Sequence, residues 1–402
     1  MKRMLSLALT LVPLTAWADP DPSDWRAVVS QAQGQTVQWH AWGGSTATND
    51  FISWVGTRLS QDFGITLTQV KLENTADAVT RVLTEKSAGQ NDKGAVDLIW
   101  INGANFAAMK EADLLFGPFA EALPNWQYAD VQDKALRRDF TIETQGFESP
   151  WAMAQVVFMH DTTDLPQPLV DMEAILEWAQ ANPGRFTFPQ PPDFLGTTFL
   201  KQTLVDLTDE TDKRAALAAP VSEENYGEIT APLWAYLDQL TPLLWRSGRA
   251  FPATGPRQLQ LMNDDEIDLA ISFSPGEAST AIANFQLPES VRTFVLEAGT
   301  IGNASFVAIP YNSGAKAAAM VTANFLLSPE AQLRAQDPDV LGYGTVLDMD
   351  ALPEQDRAAF QALDLGPATL SPEALGQIQP EPHPSWMTRI AEDWVARYGV
   401  GN

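Results

Sequence analysis

Hydrophobic and polar residues alternate over Val37-Gln38-Trp39-His40-Ala41-Trp42, and the spacing then lengthens to Ile52, Val55 and Leu59 within residues 49–61. Alternation puts every second side chain on one face of a strand, while recurrence every three or four residues lines one face of a helix. The stretch therefore predicts a strand, a turn at Gly43-Gly44-Ser45-Thr46, and a helix. The pattern then repeats. Residues 65–70 alternate again, Thr75 stands as the N-cap of a helix through Lys86, and Val96-Asp97-Leu98-Ile99-Trp100-Ile101 is apolar enough for a buried third strand. Strands that alternate with helices pair in parallel, with the helices covering the sheet faces. Ligands of such sheets sit beyond the carboxyl ends of the strands, which makes Gly43–Thr46 and Asn102–Phe106 candidate positions.

The middle third changes character. Residues 149–287 are rich in Trp, Phe and Pro, with Pro189-Gln190-Pro191-Pro192-Asp193 reading as a rigid loop and residues 223–244 as helical despite Pro232. This predicts a second lobe. Gly302–Pro310 then reads as a strand followed by a turn and residues 316–327 as an amphipathic helix, which marks a return to the first lobe. Helical pieces beyond Asp348 end in residues 386–398, expected on the outside. The expected organisation is a leader over 1–18, the first lobe over 19–148, the second over 149–287, the return over 288–347 and a C-terminal helical segment over 348–402 packed on the lobes.

The leader is read from Lys2 and Arg3, the apolar run 4–14, and small residues at Ala16 and Ala18, which predict a signal peptide cut before Asp19. The apolar run is short for a membrane span and no later stretch replaces it, so no stable membrane insertion is expected. Without a Cys at the cleavage site there is no lipoprotein anchor, and the expectation is a soluble, monomeric protein of a periplasm.

Composition narrows the chemistry. A chain of 402 residues with 45% hydrophobic content and 13 Trp can bury the cores of two domains. Its zero Cys removes disulfides, thiolate metal sites and a cysteine nucleophile. The net charge of −26, from 51 acidic against 25 basic residues, repels phosphate backbones and anionic lipid, so nucleic acid is not an expected partner. His40, His160 and His383 belong to no metal-binding pattern and read as structural, so no metal is expected. Neither a G-x-S-x-G elbow nor a phosphate loop occurs, so no catalytic residue and no cofactor is assigned. A secreted glycosidase-like hydrolase needs only two carboxylates, and with so many acids it stays open as the alternative. A surface adhesin, which would lack a deep cleft, is the third class.

Trp42, Gly43, Gly44, Ser45 and Thr46 end a strand just before a helix, where free N–H groups and hydroxyls can meet a polar solute. Asn102, Gly103 and Asn105 hold the same place after the third strand, though an Asn there serves equally as a helix cap. The segments 39–45, 97–106 and 186–196 together resemble the bacterial solute-binding proteins of ABC importers, the extracellular family that includes maltose-, iron-, polyamine- and thiamine-type binders, and within it the YnjB-type branch. The resemblance implies the α/β, two-lobe, type II periplasmic-binding-protein fold, each lobe a central sheet flanked by helices. It also implies a hinge, a ligand cleft between the lobes, and a membrane permease with its ATPase as partners. It places a cleft-crossing segment at Trp151 and Gln155.

Further candidates follow. Asp193, Phe194 and Thr197 come after the Pro-rich loop, Asp193 as a countercharge for a cation or as an N-cap. Trp245 precedes a turn, and the apolar strand 269–273 delivers Phe273, Ser274 and Glu277 near the return crossing. Aromatic walls from Trp42, Trp151, Trp245 or Phe273 suit a sugar face or an organic cation. Iron-binding members use neighbouring tyrosines, and Tyr311 and Tyr343 have none beside them. The expected function is a periplasmic solute-binding component that captures a small polar or cationic solute by hinge closure and delivers it to a permease, without making or breaking a bond.

Overall fold

The structure is a computed structural model that describes residues 19–208 and 211–399; the leader expected over 1–18 lies outside the described residues. The alternating segments fold as strands β1 (Thr36–Trp42), β2 (Thr66–Leu72) and β3 (Leu98–Ile101). β1 pairs in parallel with both β2 and β3. The helix Thr46–Phe63 fills the first crossover and ends at Gly64, whose φ of 66° lets its N–H reach Leu59 O and Ser60 O. A short hairpin follows, β4 (Arg138–Asp139) and β5 (Ile142–Glu143), and then β6 (Glu148–Gln155) runs on into β7 (Val157–Asp161) with only Val156 between them. The remaining strands are β8 (Leu269–Ser272), β9 (Val291–Phe294), β10 (Thr300–Ala308) and β11 (Ile378–Gln379).

These strands form a large sheet in the order β2-β1-β3-β10-β6, with β11 beside the first residues of β10, and a small antiparallel sheet β8-β7-β9. Each sheet has its own core. On one face of the large sheet, helices Trp25–Ala32, Thr46–Phe63 and Lys316–Leu326 bury Val28, Phe51 and Met320 against Val37, Trp39 and Trp151. On the other face, helices Ala76–Ser87 and Ala104–Glu111 bury Val82, Phe106 and Met109 against Ile99. The small sheet packs Phe158 and Ile271 against Phe186, Phe199 and Leu237 on one side, and Met159 and Ala270 against Leu261 on the other. Apolar burial on this scale, near 25 cal/mol per Å², is what holds a chain without disulfides.

Several expectations are corrected by the register. β6 belongs to the large sheet, so the chain crosses at Val156 and not at Ser149. β9 still pairs with β7, so the return comes with β10 and not at residue 288. The C-terminal helix Pro384–Tyr398 keeps one face exposed, at Thr388, Glu392 and Arg397, and puts Trp386 and Trp394, 0% exposed, into the small-sheet core. Thr75 sits at the N-cap of its helix but makes no capping bond; its hydroxyl donates to Trp100 O at 3.3 Å. Among the described residues no helix is long and apolar enough to cross a membrane.

Candidate functional site

The carboxyl ends of β1 and β3 lie side by side, so the turns after them share one edge of the large sheet. In the first turn Ser45 caps the helix by accepting Thr48 N–H, and Asn49 Nδ2 donates to Gly43 O at 3.1 Å. Trp42 is half-buried, and its indole crosses the turn so closely that a side chain on Gly44 would strike it, while Gly44 and Thr46 face solvent. In the second turn the side chains are already engaged. Asn102 Nδ2 donates to Ala304 O at 2.7 Å and to Asp139 Oδ1 at 3.3 Å, and the Gly103 N–H donates to Asp139 Oδ2. Gly103 holds φ at 56° with the Phe140 ring against it, a place where a Cβ would not fit. Asn105, in the following helix, is half-buried.

The small sheet supplies the opposite rim. Asp193 caps the helix Phe194–Asp206 through Leu195 N (2.9 Å) and Gly196 N (3.2 Å). Phe194, 41% exposed, meets Phe273 edge-on at 5.5 Å. Thr197 and Ser274 keep buried hydroxyl oxygens without a partner, and Glu277 accepts the Ser272 hydroxyl. The two rims touch on both flanks. On one, the Gly342 backbone of the large-sheet half meets Gly276 so tightly that neither could carry a side chain, beside Tyr343, whose OH lies 3.4 Å from Thr48 Oγ1 of its own half. On the other, Lys201 Nζ lies 4.5 Å from the Phe140 ring and 5.4 Å from the Phe194 ring. Across the junction, then, Gly342 meets Gly276 on one flank and Phe140 meets Lys201 on the other.

Three candidates stand elsewhere than expected. Trp151 is 1% exposed, in the large-sheet core among Trp39, Phe51, Trp100 and Tyr343. Gln155 is buried and spends its amide on Thr300 Oγ1 (3.1 Å) and Leu375 O (3.0 Å), fastening the crossing strand. Trp245 belongs to the far end of β8, where its indole N–H donates to Glu266 at 2.7 Å, away from these junction contacts.

The local electrostatics are acidic. Burial pushes the Asp139 carboxyl up to about 8, against the pull of the Gly103 and Asn102 donors. Burial and the nearby Asp139 raise Glu148 well above the carboxylate range, and neither of its oxygens has a partner. Burial also raises Asp193, Glu277 and Glu381, the last opposed by Lys201, whose Nζ it holds at 2.7 and 2.9 Å. Tyr343, Phe140, Asp139, Lys201 and Glu381 were not legible as site residues; the one signal was a lysine inside the apolar run Thr198-Phe199-Leu200-Lys201.

Among the described residues no histidine joins a metal-binding arrangement: His40 and His160 turn Nδ1 to Gln38 O and Leu165 O, and His383 caps the C-terminal helix. Asp164, Asp265 and Asp268 are the one described group close enough to share an ion, and the Arg185 guanidinium already lies on Asp265 and Asp268.

Comparison with known proteins agrees with this architecture. Residues 54–363 match the family described as bacterial extracellular solute-binding protein. The chain is 45% identical over 378 residues to protein YnjB of Escherichia coli (strain K12), covering 94% of this chain and 95% of that one. Among solved structures, the AfuA periplasmic binding protein of Actinobacillus pleuropneumoniae, with fructose-6-phosphate bound, superposes with a TM-score of 0.62 at 13% identity, over 91% of this chain and 99% of that one. PotD of Streptococcus pneumoniae, a spermidine/putrescine transporter substrate-binding protein, gives 0.59 at 16% over 90% and 98%. The apo ferric ion-binding protein A of Pasteurella haemolytica gives 0.62 at 14% over 90% and 97%. Cargoes as unlike as a sugar phosphate, a polyamine and an iron ion go with one fold, the type II periplasmic-binding-protein arrangement that this chain shares.

Proposed function

We propose, from the premise that the chain belongs to the bacterial extracellular solute-binding family, that it is the periplasmic solute-binding component of an ABC importer. It captures a small polar, preferably cationic, solute between its two sheets and delivers it to a membrane permease. The observation that carries this reading is the pair of contacts between the two rims, Gly342 on Gly276 and Phe140 on Lys201, joined by crossing strands about which the two halves can close. A solute held by both rims favours the closed form, and a permease that prefers that form senses occupancy through differential affinity alone. Burial shifts the Asp139 and Glu148 carboxyls toward their neutral forms and Glu381 is spent on Lys201, so the lean toward a cation rests on the aromatic rim. Phe194, Phe273 and Trp42 supply the aromatic faces that favour an organic ammonium group.

A carboxylate-dependent hydrolase fits less well. It needs two carboxylates free to face a substrate, whereas Asp193 caps a helix, Glu277 takes the Ser272 hydroxyl, Glu381 holds Lys201 and Asp139 takes the Gly103 N–H. Titration calorimetry against organic cations, sugars and amino acids, with the bound compound recovered and analysed, tests the reading. Saturable one-to-one binding of an unchanged cation is expected. Turnover of the compound, or binding confined to anions, overturns it.

A further inference from the structure

After the family's matched residues end at 363, the chain crosses between the halves once more. Phe360 still packs in the large-sheet core, whereas Ala368 packs on the small sheet. Residues 375–381 then lie along both earlier crossing strands. Leu375 O accepts Gln155 Nε2, β11 pairs with Thr300 and Ile301 of β10, Gln379 Nε2 donates to Ala298 O, and Glu381 accepts Asn303 Nδ2 at 3.1 Å. Glu381 also grips Lys201 with both oxygens, and the two side chains are 1% and 0% exposed. The face of that ammonium is closed by Phe140, which comes from the β4–β5 turn of the other half and holds φ at 53°, a left-handed backbone in which a bulky residue is strained.

We propose that residues 363–381 form a strap whose buried Glu381–Lys201 pair, capped by Phe140 across the junction, sets the balance between the open and closed forms of the protein. The inference rests on the reading of solute capture by closure and names how that closure is regulated. An ion pair shut away from water keeps its favourable geometry only while the groups around it stay in place. Lys201 moves with the small sheet and Phe140 with the large one, so a rotation about the crossing strands lifts the ring off the ammonium and admits water. The closed arrangement is therefore favoured before any solute arrives, and the solute adds to a bias already built into the chain.

The chain has zero Cys, so Ser60→Cys and Gln239→Cys place spin labels on two exposed positions, one on each half. Pulsed electron resonance then reads the distance between them in solute-free protein. Phe140→Gly removes the ring while relieving the left-handed backbone, and is expected to shift the closed-to-open ratio about tenfold toward a second, longer distance. Glu381→Gln is expected to shift it further; should that variant not fold because Lys201 is left buried without its partner, Phe140→Gly carries the test. A distance distribution identical to that of the parent in Phe140→Gly overturns the strap. Because the assay contains no solute, unchanged distances in a protein that still binds an organic cation refute the strap alone. A shifted distribution in a protein that binds no solute upholds the strap and refutes the capture reading.

Discussion

Asp139→Asn should gain stability over the parent as pH rises from 5 to 8. The Asp139 carboxyl is fully enclosed, and burial pushes it from an ordinary 3.8 up to about 8. Between those values the unfolded chain loses this proton while the folded chain keeps it. The folded state is then penalised, and the penalty grows as pH rises from about 4 until it levels off above the folded value. At about 1.36 kcal/mol per pH unit, the stability tied to this group falls by about 4 kcal/mol between pH 5 and pH 8. Asparagine has no proton to lose there; its Oδ1 can still accept the Gly103 N–H, while its Nδ2 cannot accept the 3.3 Å bond that Asn102 Nδ2 now donates, a loss that does not vary with pH. Urea unfolding of parent and variant, followed by tryptophan fluorescence at pH 5, 6, 7 and 8, should show a difference that shifts steadily with pH in favour of the variant. A difference independent of pH would refute the assignment of a protonated buried carboxyl.

Other substitutions separate the site from its support. Trp151→Ala should cost about 3–5 kcal/mol because the indole fills the large-sheet core, whereas Trp42→Ala, at the half-buried edge, should weaken solute binding with a much smaller loss in thermal unfolding. Trp245→Phe, which breaks the bond to Glu266, should lower the unfolding midpoint slightly and leave solute affinity unchanged by calorimetry; a tenfold affinity loss would return Trp245 to the site. Gly103→Ala forces a Cβ against the Phe140 ring at a left-handed φ, and should reduce both stability and solute affinity.

What the sequence disclosed was local. Alternation in 37–42 and 65–70 marks β1 and β2 because period-two burial is a property of consecutive residues. The glycine turn before Thr46 marks a rim for the same reason. Lys201 and Glu381 could not be paired by inspection, since 180 positions separate them; the apolar run around Lys201 hints at burial, but nothing around Glu381 marks it as the partner. Trp245 was misplaced because a tryptophan before a turn looks the same at either end of a strand. The C-terminal helix has an amphipathic pattern that fits an outer layer, yet Trp386 and Trp394 enter the small-sheet core from a segment whose partners lie far upstream.

Thermal unfolding of the purified protein, stripped of co-purified solute, against organic cations, sugars, amino acids and anions tests the central claim most directly. A ligand at about a hundred times its dissociation constant adds roughly 2.7 kcal/mol, and at about 2–4 °C per kcal/mol the midpoint should rise by roughly 5–10 °C. The account predicts that rise with an organic ammonium compound, recovered unchanged. A rise confined to anions, or chemical conversion of the compound, would contradict it.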